Sequence, residues 1–399
     1  MAYDADTTPL LAAAARGSEE VVKLLLGAKA DASLALAPEG RSAVRTAAEL
    51  GHAGTLRLLL EARGDPQQAG AGAEPLLCAA ARDGRADVLA ALLEASASLG
   101  SAPPGLVADC AARGRAEAVR LLLEARAGPE QEHDGLSAVA HAVERNNADI
   151  LKLLLDAGGD ANSVGASDEP LLLGPAGRGQ TELLRLLLGA RAEVDGAAGL
   201  GDTPLLVAVE QDRSEALDLL LEARADPNRR AGNGASPLLA ATVTGRLASV
   251  QRLLEASADP CQDCPLLHAA RAEDDGMVSL LLQARADANQ TQAALGREAF
   301  ASSFGEAAAG LGSAPGAQPV EDGVTPVHVA AQGDRAGPLR RLLEAKGNPD
   351  AKLEGGVSLA LEAAERGSVE TLEALLEARA DGAAASADGR SPLAAAVRA

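Results

Sequence analysis

Cys261, Cys264 and His268 form the one metal-like spacing in the chain, Cys-x-x-Cys-x-x-x-His. Thiolate and imidazole both suit zinc, but a structural zinc site takes four ligands and this set supplies three. The competing expectation is that Cys264 replaces a helix-capping Ser or Thr, with His268 on the helix that follows. A thioredoxin-type redox role needs a βαβ setting around the cysteine pair, and none is legible here. Cys78 and Cys110 fall at nearly equivalent places in neighbouring segments and read as small core residues. Glu132, His133 and Asp134 set a base between two acids at a loop tip, where solvation is expected. Gly310, Gly312 and Gly316 lack the spacing and the preceding strand of a phosphate loop. No Gly-Lys-Ser/Thr, His-Glu-x-x-His or Gly-x-Ser-x-Gly occurs. Asn289-Gln290-Thr291 is a glycosylation sequon by letter, without another sign of secretion. The expectation is a chain that is not an enzyme and has no cofactor, with Cys261, Cys264 and His268 as a weak metal candidate.

A second set of residues could bind instead of react. Acids recur between the apolar segments: Glu39, Glu74, Asp134, Asp168, Glu169, Asp202, Glu321, Asp322, Glu354 and Asp388. Few cations accompany them, Arg41 and Arg390 being the nearest. Asp-Gly favours tight hairpins and accounts for Asp134, Asp322 and Asp388. Glu39, Glu74, Glu169 and Glu354 are poor turn formers, so turn chemistry does not account for them. An acidic rim facing a basic protein surface, weakened by salt, is the binding expectation. Phe300 and Phe304 are four apart and would share one helix face. They either pack back on the protein or dock in a partner's groove.

Charge and composition narrow the partner class. The 399-residue chain carries 57 acidic against 36 basic residues, a net charge of -21. That opposes phosphate backbones and anionic membrane surfaces. Tyr3, Phe300 and Phe304 are the only aromatics, so no stacking platform for single strands exists. Four cysteines in a chain this long fit a reducing compartment. The N-terminus lacks the basic start of a signal peptide. No apolar run approaches the roughly 18 residues of a membrane span. A cytoplasmic protein is expected, with the nucleus left open. Hydrophobic residues make up 47% of the chain, which excludes disorder. With almost no aromatic volume, Leu and Ala must fill the core, which suits closely packed helices.

These residues hang on a repeat. A Leu triplet or near variant starts at Leu24, Leu58, Ala91, Leu121, Leu153, Leu186, Leu219, Arg252, Leu280, Arg341 and Ala374. The intervals run from 28 to 34 residues, apart from one of 61. About 15 residues before most triplets stands a Pro, as at Pro9, Pro204, Pro237 and Pro326. Ser or Thr precedes it in Thr8, Thr203, Ser236 and Thr325, reading as N-cap plus first helical residue. A short Ala-rich helix follows, and Gly breaks it at Gly17, Gly51, Gly84, Gly114, Gly179, Gly245 and Gly367. The next helix carries the triplet, whose arc is too wide for one amphipathic face and predicts burial on several sides. A loop of the type Glu-Ala-Arg-Ala-Asp-Pro-Asn (222–228) closes the unit.

The segments 203–228 and 325–350 resemble ankyrin repeats, in period, Pro, Gly break and Leu triplet together. The resemblance covers nearly the whole chain. It implies an all-α fold: an α-solenoid of about eleven to twelve stacked helix-turn-helix repeats with projecting hairpin loops. It also implies protein–protein binding on the concave side, through hairpin tips and first helices. Residues 7–289 hold copies one to nine, and 325–399 hold copies ten, eleven and a half repeat. Residues 290–324 are either a degenerate repeat or, as favoured here, an insertion with a flexible linker. The expected function is a non-enzymatic interaction scaffold. A targeting subunit for a separate enzyme and a purely structural spacer are the alternatives. A monomer is expected, with association possible through an uncapped C-terminal end.

Two departures from the family pattern stand out. Its His after Thr-Pro-Leu survives only at His328, while Leu11, Leu77, Leu206 and Leu239 replace it elsewhere. The family Gly after the second helix is replaced by Lys29, Arg63, Arg126, Arg191, Arg224, Arg285, Lys346 and Arg379. The flanking acids suggest a ladder that neutralises itself. The opposing expectation is an Arg-rich binding stripe.

Overall fold

The computed structural model describes residues 8–36, 41–67, 74–95, 103–199, 201–232, 234–291, 323–352, 356–384 and 390–392. Among them stand 22 α-helices, arranged as eleven short pairs. Two compact units are built from these pairs, one within residues 1–174 and 182–193, the other within 175–181 and 194–399. Inside each unit, first helices pack on first helices and second helices on second helices, as expected of an α-solenoid. No helix among the described residues is long and apolar enough to cross a membrane.

Most first helices with a Ser or Thr cap start on a side-chain bond to the backbone. The hydroxyls of Thr8, Ser42, Ser137, Thr203, Ser236 and Ser358 accept the N–H three residues on, at 3.1–3.2 Å. Each such cap is worth about 1 kcal/mol. Thr325 goes further, because His328 Nδ1 accepts its N–H at 3.1 Å and closes a capping box. His328 Nε2 lies 3.2 Å from the Lys352 carbonyl, tying the helix to the next loop. Where Leu stands in that register, at Leu11, Leu77, Leu206 and Leu239, it is buried. Packing has replaced the polar network. At Gly17, φ is 68° and an added Cβ would lie 2.5 Å from the His52 ring, so both backbone and space require glycine.

The second helices are nine residues long, and their triplets are not uniformly buried. Leu59, Leu122, Leu154 and Leu187, each the middle Leu, are fully enclosed. The two flanking residues of each of these triplets are half-buried. In these four triplets burial on several sides holds for the central residue, whereas elsewhere Ala91, Leu219 and Ala374, each first in its triplet, are buried too.

The second helices end in a left-handed residue. Arg126 donates its N–H to Leu123 O and Ala127 donates to Leu122 O, both at 2.9 Å, closing the helix end. All eight cations named above adopt this conformation, with φ between 63° and 69°. The left-handed region costs a side-chain-bearing residue about 1–2 kcal/mol. The helix dipole returns about 0.3–1 kcal/mol to a cation there. Folding stability alone does not account for a cation in place of glycine.

Copies nine and ten are neighbours in space. Pro265–Arg271 packs against Pro326–Gln332, and Asp275–Gln283 against Ala336–Glu344. Leu267, Cys264, Val329 and Val324 share one apolar cluster. Asn289 accepts the Asn348 N–H at 2.7 Å and donates to the Lys346 carbonyl at 3.1 Å. Asn228 makes the same pair of bonds to Asp259 and Ser257 in the adjacent copy.

Candidate partner-binding face

The first helices and the loops before them carry the polar side chains that sequence singled out. In the first unit these centre on a residue it did not. Asp109 lies in the first helix Leu106–Ala112 and is 2% exposed. Arg113, four residues on, donates to it through Nε at 2.6 Å. Arg82, at the end of the previous first helix, donates through Nε at 2.5 Å. Burial pushes the Asp109 carboxyl up, and the bonds from Arg113 and Arg82 more than reverse this, holding it below its ordinary value.

Two of the predicted acids join this network. Arg82 also binds Glu74, Nη1 to Oε1 at 2.6 Å. His133 Nε2 stands 3.5 Å from Asp109 and 3.4 Å from Asp134. Asp134 itself is 83% exposed. His141 Nε2 meets the His133 carbonyl at 3.0 Å, with the two rings 6.1 Å apart. Glu74 is thus answered by a cation of its own chain, Asp134 stands beside the His133 ring, and the Glu132-His133-Asp134 run is not simply solvated.

Asp168 and Glu169 remain open acids. They are exposed, side by side at the end of the 3-10 turn Ala166–Asp168, and carry no ion pair among the described residues. Asp202, in the second unit, is half-buried and its charge reaches Glu210. Burial first, then Asp202, raises the Glu210 carboxyl. Glu39, Glu321, Asp322, Glu354, Asp388, Phe300 and Phe304 lie outside the described residues.

Among the described residues no three of His, Cys, Asp and Glu come close enough to hold a metal ion. Cys264 stands at the cap of Pro265–Arg271 as its place in the repeat suggests, yet it makes no capping bond there. Its φ is 54°, not extended, and its thiol donates to Thr291 O at 3.5 Å. His268 is buried on that first helix, and burial, then Arg271, lowers it to about 4. Burial raises the thiols of Cys78 and Cys264 to about 11 and that of Cys110 to about 12. Such thiols stay protonated and are poor nucleophiles.

Sequence reasoning missed Asp109, Arg82 and Arg113. A signal existed: Asp109 sits where other first helices carry Ala79, Val207 or Ala240. A lone carboxylate in that apolar register demands cationic neighbours. Which cations answer it depends on Arg82 reaching across from the preceding copy.

Stacked helix pairs, left-handed ends and loop-to-loop bonds define a repeat protein built for surface contact. Comparison with known families agrees. The profile of ankyrin repeats in three copies matches residues 10–103, and that of the single ankyrin repeat matches 200–231. The crystal structure of the ankyrin repeat domain of Bcl-3, a unique member of the IkappaB protein family, is similar over 54% of this chain and 99% of that one. Identity is 24% and the TM-score 0.43. No curated protein matches the sequence. Residues 10–103 and 200–231 are ankyrin repeats. Ankyrin repeats are in general protein–protein interaction modules.

Proposed function

We propose that the chain is a non-enzymatic, cytoplasmic scaffold that binds a basic protein surface through its loop tips and first helices. The observation that carries this is the pair Asp168 and Glu169, exposed and without a cation partner among the described residues. The net charge of -21 adds long-range attraction for a basic partner. Glu74 contributes less than its formal charge, because Arg82 already faces it. The direct packing of copy nine on copy ten supports reading residues 290–324 as an insertion between them.

Pull-down with mass spectrometry identifies the partner, and its binding is then measured across salt. Affinity falls from low to physiological salt, and Asp168→Lys with Glu169→Lys slows association. Binding that ignores both salt and charge reversal rejects the acidic rim.

A further inference from the structure

The left-handed cations, four in each unit, are a feature apart from those acids. Lys29, Arg63, Arg126, Arg191, Arg224, Arg285, Lys346 and Arg379 are all exposed. Among the described residues none of them has an ion-pair partner. Several arginines elsewhere are paired with acids: Arg45, Arg82, Arg113, Arg246, Arg335 and Arg366. The acids of the same loops bond to the backbone instead of to the row. Asp31, Asp65, Asp226, Asp259, Asp287 and Asp381 each accept the N–H two residues on, at 2.9 Å. Their oxygens serve the turn, and none of them forms an ion pair with a cation of the row.

Copies nine, ten and eleven show the row best. Their loops are bonded in register: Asn289 to the Lys346 carbonyl, and Asp350 to the Asp381 N–H at 2.7 Å. Arg285, Lys346 and Arg379 therefore repeat once per helix pair, about 8–10 Å apart. A polyproline II segment has three residues per turn and rises about 3.1 Å per residue. Its every third side chain returns to one side after about 9 Å, which matches the row.

We propose that this row is a docking surface for an acidic, extended polypeptide segment with a carboxylate at every third position. The chain's net negative charge repels such a segment at a distance, so association is slow and the contact short-range. The same charge and the missing aromatics argue against nucleic acid as the occupant.

The test uses the full chain and a labelled peptide of repeated Glu-Pro-Ser. A second peptide has the same composition with its glutamates grouped at one end. The triple variants R285G/K346G/R379G and R285N/K346N/R379N remove the charges with residues that accept the left-handed backbone. Both variants keep or raise the melting temperature. Both lose about tenfold to hundredfold in affinity for the spaced peptide, at about two- to fivefold per exposed pair. No binding by the native chain, or equal binding by the variants, overturns the proposal. So does equal affinity for the grouped peptide, or tighter binding of duplex DNA through the same three residues.

Discussion

Arg82 of the third repeat and Asp109 of the fourth meet at 2.5 Å, Nε to Oδ2, across the boundary between two first helices. The carboxylate is 2% exposed and the guanidinium 31%. This asymmetry decides what each substitution does. Removing the arginine strands a buried charge, whereas removing the acid leaves an arginine that water can still reach.

The first prediction follows from that asymmetry. Arg82→Met together with Arg113→Met costs more stability than Asp109→Asn. Stranding a buried charge costs about 3–5 kcal/mol, and Asp109→Asn about 1 kcal/mol for weakened hydrogen bonds. Urea unfolding of the two variants checks the order. If Asp109→Asn is the more damaging, the bridge itself stabilises the stack.

The same carboxyl predicts acid sensitivity with a definite sign. Its folded value lies below the ordinary one, so its stabilisation is complete above the ordinary carboxylate value. That stability is lost as pH falls through the folded value. Asp109→Asn flattens this part of the unfolding profile, measured from about pH 5 down to about pH 2. A profile unchanged by the substitution overturns the assignment.

Much of this architecture is legible in the chain, for local reasons. Ser236 before Pro237 fixes one helix start, and Arg224 four residues before Asn228 marks one helix end. The Asp109 network was legible only in its local partner Arg113, because the others sit 27 residues back and 24 residues on. Arg82 enters from another repeat, and His133 from a loop. The alternation of charge in Glu222, Arg224 and Asp226 suggested neutralisation that the fold does not make. Asp226 turns to the Asn228 N–H, and the turn outcompetes the exposed arginine. Cys264 shows the opposite failure: its place in the repeat predicts an extended cap, and Asp263 and Cys264 instead both take positive φ.

His268 sets a second acid limit, at a higher pH than Asp109. Burial, then Arg271, lowers it from 6.5 to about 4. The unfolded chain therefore takes up a proton before the folded one. Stability is whole above pH 6.5 and declines as pH falls toward about 4. The total loss is about 3 kcal/mol at 1.36 kcal/mol per unit. His268→Leu removes this decline, read by thermal melting at several pH values, while the loss at lower pH due to Asp109 remains. Persistence of the decline in His268→Leu assigns it to another group.

Glu210 works in the opposite direction. It is half-buried near Asp202, and burial followed by that like charge raises its carboxyl. At neutral pH it is ionised at some cost, and the cost disappears as the pH falls through its raised value. Glu210→Gln therefore stabilises the second unit at neutral pH by less than about 1 kcal/mol, since the site is only partly screened from water. Asp202→Asn gives a smaller gain, because burial outweighs the neighbouring charge. The double variant gains less than the sum of the two, since both remove one repulsion. Melting temperatures of the four proteins at neutral pH, repeated near pH 4, test this set. The gains shrink at the lower pH if the carboxyl is their source. Gains that persist there trace to packing instead.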